Sequence, residues 1–240
     1  MPILLKSSLS FLLASLVITS SFSQEKKKLV KSWIKRESYT LPDNTRVEDT
    51  LYTRYSFQRS KIDISFSPGW SDNAFPQEWE LSGDQLRIGF TTYTIEELTD
   101  STLIIASPGF RRVVLDDEKW LSQKPENLHV IGVFNNEPLY EANKFITPRY
   151  KKDGLRNVIQ QSVEGYNVKK ATTFIASFIV KKDGTIDNIQ IIKGITDGFD
   201  AEVTRQLKKT SKDWSPAVYK GQPIQTQILY TIKYLDSIVK

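Results

Sequence analysis

The stretch from Thr172 to Tyr234 limits the fold more than any other, because its residue pattern passes from period two to a helical period and back. Thr173 to Val180 alternates, with Phe174, Ala176, Phe178 and Val180 on one face, which predicts a half-buried strand. Lys182-Asp183-Gly184 turns the chain, since Asp starts turns and Gly tolerates positive φ. Ile186 to Ile192 is rich in β-branched residues and pairs back as a hairpin. Thr196 or Asp197 then caps a helix with Asp200 and Glu202 in its first turn, where carboxylates suit the helix dipole. Phe199, Val203 and Leu207 make one apolar stripe along it, and Lys208 and Lys209 close it. Pro216 and Pro223 exclude helix from the segment after Trp214 and predict an extended loop. The terminal strand alternates again: Ile228, Tyr230, Ile232 and Tyr234 point one way, Thr231 and Lys233 the other.

Taken in that order, Asp183-Gly184, the apolar strand ending Lys193-Gly194, the helix, Trp214-Ser215-Pro216-Ala217 and Gly221-Gln222-Pro223 resemble the TonB C-terminal domain family. The resemblance runs over roughly Pro148 to Asp236. It departs at the start, where many members have a Tyr-Pro step and a Gly-rich segment and this chain has Thr147-Pro148-Arg149-Tyr150 and Lys152-Asp153-Gly154-Leu155. The resemblance implies an α+β domain, a three-stranded antiparallel sheet with helices. Asp183, Gly184, Trp214, Pro216, Ala217, Gly221 and Pro223 are its structural motif positions. It also implies that the edge of the last strand accepts an extended segment of an outer-membrane receptor. That edge is Gln225, Thr226, Gln227, Ile228, Leu229, Tyr230, Thr231, Ile232, Lys233 and Tyr234. The physical basis is that an edge strand presents unpaired N–H and C=O groups. The alternative is an edge blunted by Thr231 and Lys233, on a domain serving as a homodimerising or scaffold module.

Glu25 to about Gln123 reads as all-β, with short alternating runs at close spacing. The runs are Leu29 to Tyr39, Tyr52 to Phe57, Lys61 to Phe66, Glu78 to Leu81, Gln85 to Phe90, Thr92 to Leu98, Thr102 to Ser107 and Phe110 to Leu115. Tight turns join them at Gln58-Arg59-Ser60, Ser82-Gly83-Asp84 and Thr99-Asp100-Ser101, and a loop carries Pro68-Gly69-Trp70 and Asp72-Asn73. About eight antiparallel strands are enough to close a small barrel. The series Trp79-x-Leu81-x-Gly83-Asp84-x-Leu86-x-Ile88, Tyr93-x-Ile95 and Leu98-Thr99-Asp100 resembles the lipocalin-like domains of bacterial envelope proteins. The usual opening Gly-x-Trp is Lys31-Ser32-Trp33 here. Such a barrel either holds one lipophilic small molecule or is filled by its own side chains. Trp33, Tyr55, Phe57, Trp79, Phe90 and Tyr93 are expected as filling.

The N-terminus reads as a targeting signal: Lys6, an apolar run from Leu9 to Ile18, and the small-x-small site Ser21-Phe22-Ser23. The apolar run is shorter than the ~20 residues that span a bilayer, and Lys26, Lys27 and Lys28 follow it. Cleavage near Ser23, delivering the chain to the periplasm, is favoured over an uncleaved inner-membrane anchor. The resulting division is 1–23 signal, 24–123 barrel, 124–147 connection and 148–240 C-terminal domain. No Pro-rich rod of the kind that spans a periplasm at ~3.1 Å per residue separates them.

The chain has no cysteine and one histidine, which removes thiol chemistry, Cys-ligated zinc and most Ser/His/Asp or multi-His sites. A net charge of +5 without a dominant basic block gives no reason to expect nucleic acid as a partner. His129 is expected as a partly buried structural imidazole, Asp116-Asp117-Glu118 as a solvated turn, and Glu96-Glu97 as neighbours pointing to opposite faces. No cofactor, metal or catalytic constellation is expected. The expectation is a non-enzymatic envelope module that binds a protein partner. A lipocalin-like carrier is the alternative, and an enzyme comes third.

Overall fold

The computed structural model of the protein describes residues 25–48, 51–69, 74–152, 154–166, 168 and 171–234. The expected signal and its cleavage point lie outside these residues, as do Trp70 and Asp72-Asn73 of the long loop. The chain divides into two units, Met1–Ile64 with Ala74–Glu118, and Ser65–Asn73 with Lys119–Lys240.

In the first unit, the alternating runs form β1 (Ser32–Thr40), β2 (Thr45–Arg46), β3 (Arg54–Phe57), β4 (Lys61–Ser65), β5 (Ala74–Ser82), β6 (Gln85–Ile88), β7 (Thr91–Leu98), β8 (Thr102–Ser107) and β9 (Arg111–Asp117). From β3 to β9 each strand pairs with the next, and β9 returns to β1 from Trp33 opposite Asp117 to Thr40 opposite Arg111. The sheet therefore closes, β2 remains a short flap on β1, and an eight-stranded antiparallel barrel results, as expected. Inward residues of the alternation pack its interior: Trp33, Phe57, Ile62, Trp79, Leu86, Leu103 and Leu115 are in one buried cluster, with Tyr55 and Tyr93 packed at its margin; Leu29, expected to open the first strand, joins the cluster from a helical turn over residues 25–29 instead. The Phe57 and Trp79 rings meet edge to face at 5.1 Å.

Two expectations for this unit are corrected. Phe90 is fully exposed at 109%, because it follows Gly89 (φ 56°) at the tip of the β6–β7 hairpin rather than ending a strand. Asp116 and Asp117 are buried at the end of β9, not in a solvated turn. Arg36 reaches Asp116 at 3.2 Å and Lys31 reaches Asp117 at 3.0 Å, which supplies the counter-charge that burial requires.

The short helix α1 (Glu118–Leu121) begins at the last residue of the first unit and leads, in the second, to the hairpin β10 (Val130–Phe134) and β11 (Glu137–Glu141). Then come β12 (Arg149–Tyr150), α2 (Leu155–Ser162), β13 (Thr172–Val180), β14 (Ile186–Lys193) and α3 (Asp197–Lys209). The chain ends in β15 (Trp214–Ser215), β16 (Ala217–Tyr219), β17 (Gln222–Ile224) and β18 (Thr226–Tyr234). The main sheet has the order β10-β11-β18-β13-β14. Its β14, β13 and β18 are the expected antiparallel trio, with β13 and β18 in register from Thr172 opposite Tyr234 to Val180 opposite Thr226. The hairpin β10–β11, which lies in the expected connection, widens the trio to five strands.

Local chemistry explains the elements. Gly184 has φ 78° in the β13–β14 turn, and Asp183 accepts hydrogen bonds there from the Thr185 N–H and hydroxyl. Thr196 caps α3, accepting from the Phe199 N–H at 3.3 Å. Phe199, Val203 and Leu207 are fully buried on Phe174, Ala176, Phe178, Ile228, Tyr230 and Ile232. Trp214 seals this core against Phe178 and Tyr150, each with ring centroids at 5.4 Å, and its indole N–H donates to Thr210 Oγ1 at 3.1 Å. The segment expected as an extended loop is instead a small hairpin: β16 and β17 pair around Lys220-Gly221, both at positive φ (48° and 80°). His129 is exposed, not partly buried; its ring nitrogens bond Glu141 and the Glu126 carbonyl, each at 3.2 Å.

Candidate partner-binding edge

β18 alternates in the structure as in the sequence. Thr226, Ile228, Tyr230 and Ile232 are buried toward the helices, and Leu229, Thr231 and Lys233 are exposed on the opposite face. Burial raises the Tyr230 and Tyr234 hydroxyl pKa values, so both stay neutral phenols.

The edge expected to be open along its whole length is covered at its start by an earlier strand. β11 runs parallel to β18, with Tyr140 opposite Thr226 and Glu141 opposite Gln227. The Tyr140 N–H donates to the Gln225 carbonyl at 3.2 Å, and the Ala142 N–H to the Gln227 carbonyl at 2.9 Å. The Gln225 side chain is also engaged, its amide donating to the carbonyls of Phe134, Glu137 and Pro138 at 2.9–3.1 Å. Gln227 donates across the sheet to the Ser177 hydroxyl at 3.3 Å. Gln225, Thr226 and Gln227 are thus part of the sheet's own bonding and not a free edge.

Beyond Gln227 the geometry differs. Main-chain groups of a strand alternate sides. Because the Gln225 and Gln227 carbonyls point toward β11, the N–H and C=O of Leu229, Thr231 and Lys233 point the same way. β11 ends at Glu141, and among the described residues no strand pairs with β18 on that side after Gln227. The chain leaves β11 by a turn in which Asn143 Oδ1 accepts from the N–H groups of Phe145 and Ile146. Among the described residues an unpaired slot therefore lies in line with β11 beside residues 228–234.

The motif positions do not join this slot. Asp183 and Gly184 form the β13–β14 turn, Trp214 and Ala217 are buried, and Gly221 and Pro223 belong to the β16–β17 hairpin. They hold the domain together. The residues that sequence reasoning missed are Tyr140 to Ala142, which set where the slot begins. Their signal is the pair Asn135-Asn136, both at positive φ (52° and 61°), which makes a two-residue hairpin turn between apolar runs. Among the described residues no group of three or more His, Asp or Glu side chains is placed to hold a metal ion. Two surface clefts near the barrel are lined by residues such as Lys28, Asp84 and Glu97, or Lys26, Lys27 and Arg59, and no residue of the buried barrel cluster lines either.

Fold and edge together define a two-domain protein, an eight-stranded β-barrel followed by an α+β domain whose last strand, among the described residues, is paired on only one side beyond Gln227. Residues 169–235 match the family described as Gram-negative bacterial TonB protein C-terminal. No curated protein matches the chain. Among solved structures, a lipocalin-like protein from Bacteroides uniformis ATCC 8492 is 16% identical, covering 38% of this chain and 98% of that one, with a TM-score of 0.33. An uncharacterized protein from Bacteroides eggerthii DSM 20697 is 20% identical, covering 37% and 98%, with a TM-score of 0.31. Among the described residues no helix is long and apolar enough to cross a membrane.

Proposed function

We propose that this protein is a non-enzymatic interaction module of the bacterial cell envelope, capturing an extended segment of a protein partner by strand addition along Ile228 to Tyr234. The observation that carries this reading is the slot beside β18. Outward amides and carbonyls at Leu229, Thr231 and Lys233 continue the line of β11, so an incoming strand meets a template already half built. The family match over 169–235 supports an envelope protein, such as an outer-membrane receptor, as the partner. The signal-like N-terminus supports delivery to the periplasm. The carrier reading is disfavoured by the buried Trp33, Phe57 and Trp79 that occupy the barrel interior.

Capture from envelope extract, followed by amide hydrogen exchange, tests the proposal. The amides of Leu229, Thr231 and Lys233 gain protection when the partner binds. A captured partner that leaves those amides exchanging as in the free protein places its site elsewhere.

A further inference from the structure

One buried side chain fastens the β10–β11 hairpin to the start of β18. Gln225 is 3% exposed, and its amide nitrogen lies 2.9, 3.0 and 3.1 Å from the carbonyl oxygens of Phe134, Glu137 and Pro138. Its two N–H bonds are shared among three acceptors at the mouth of the Asn135-Asn136 turn. Both strands of the hairpin contribute, since Phe134 ends β10 while Glu137 and Pro138 begin β11.

The hairpin depends on that clamp because little else covers it. β10 is exposed at four of its five positions, and Leu139 is the one buried residue of β11. Main-chain bonds tie β11 to β18 only from the Tyr140 and Ala142 N–H groups. The Lys182–Glu137 ion pair at 2.7 Å is exposed on both sides and adds little. At the far end Tyr140 packs on Ile146, Ala217 and Ile224, and Ala142 on the main core. β11 is therefore pinned at both ends of its contact with β18, by packing at one and by Gln225 at the other.

We propose that the β10–β11 hairpin is the built-in stop of the strand-capture site and that Gln225 is the residue positioning it. The inference rests on the strand-capture reading given above. An edge open along its whole length lets an extended segment slide by two residues at a time, because its side chains regain the same face at each such step. β11 removes that freedom on one side. A segment shifted toward Gln225 meets the backbone of Tyr140 to Ala142, already bonded to the Gln225 and Gln227 carbonyls. Main-chain pairing is thus confined to Leu229, Thr231 and Lys233, and the register of the captured segment has one fixed end. An aliphatic or carboxylate side chain at position 225 cannot hold the stop, because carbonyls accept and neither group donates at neutral pH.

Two variants of the full chain test this. Gln225→Leu keeps a similar volume and removes the donor. In the free variant the Tyr140 and Ala142 amides are expected to exchange roughly tenfold faster or more, with β13 amides unchanged, as loss of the clamp's hydrogen bonds implies. After capture from envelope extract, protection is expected to spread from Leu229, Thr231 and Lys233 to Gln227. The chain contains no cysteine, so Glu141→Cys with Gln227→Cys, register partners in neighbouring strands about 4.8 Å apart, closes one defined disulfide that fastens β11 to β18. A stop stays in place during capture, so the oxidised and reduced forms are expected to capture equally. Loss of capture on oxidation, restored by reduction, overturns the proposal and makes β11 a strap that the partner displaces. Unchanged exchange of Tyr140 and Ala142 in folded Gln225→Leu overturns the role of Gln225, and the disulfide chain decides alone if that variant does not fold. Thr231→Pro separates these outcomes from the underlying reading. Capture that survives in folded Thr231→Pro refutes strand capture itself, whereas capture lost both there and on oxidation refutes only the stop.

Discussion

Replacing Trp214 with alanine removes a fully buried aromatic contact between β15 and the core of the second unit. The indole is fully buried, packed edge to face on Phe178 and tilted against Tyr150. A buried aromatic of this size removes about 150–250 Å² from water, worth roughly 4–6 kcal/mol at ~25 cal/mol per Å². Large aromatic truncations in cores cost about 3–5 kcal/mol, cavity included. The hydrogen-bond loss adds little, because Thr210 Oγ1 keeps its own bond to the Leu207 carbonyl at 2.7 Å when the indole donor is gone. For a chain of this length, ~3–5 kcal/mol lowers the thermal midpoint by roughly 6–20 °C. Urea unfolding followed by far-UV circular dichroism, with amide exchange of β13 and β18 as the local readout, measures it. A midpoint and amide protection equal to the unaltered protein within error would show that Trp214 does not hold the loop to the sheet, and the packing argument would fail.

Gly184→Ala should destabilise the second unit by more than about 2 kcal/mol, since φ 78° is strained for alanine and its Cβ would sit 2.3 Å from the Trp214 carbonyl oxygen; denaturant titration reads the change. Glu202 is held down to about 2 from its ordinary 4.5, first by hydrogen bonds from Arg205 and then from Gln206. A depressed carboxylate contributes stability above its unfolded pKa, and that contribution is lost as pH falls from about 4.5 through 2. Glu202→Gln should flatten the acid limb of the stability curve in that window, and an unchanged limb would count against the Arg205 pairing. N-terminal sequencing of periplasmic protein should begin near Gln24, and recovery of intact Met1 in the membrane fraction would favour the anchored reading instead.

What the sequence discloses is local. Strand Thr102–Ser107 and the stripe Phe199, Val203 and Leu207 stand where alternation and helical spacing put them, because each depends on residues a few positions apart. The barrel follows from the number of such strands, since strand count bears on closure. Most of the differences involve partners remote in the chain. Asp116 lies 80 residues from Arg36, and Gln225 lies 88 residues from Glu137, so no local pattern announces either pairing. The parallel contact of β11 with β18 is of the same kind. Glu137 and Pro138 read as turn residues after Asn135-Asn136, which hides the start of β11 and therefore the true beginning of the free edge. Phe90 departs from its expected place because hydrophobicity alone does not distinguish a strand end from a hairpin tip.

The central claim is that outward main-chain groups of β18, and not its side chains, hold a partner segment. Thr231 is exposed and its N–H points into the slot, so Thr231→Ala keeps the amide and Thr231→Pro removes it. The decisive measurement is partner capture from envelope extract by these two variants, with circular dichroism confirming that each is folded. The account predicts capture at the unaltered level by Thr231→Ala and its loss in folded Thr231→Pro. Capture at the unaltered level by a folded Thr231→Pro chain would contradict it.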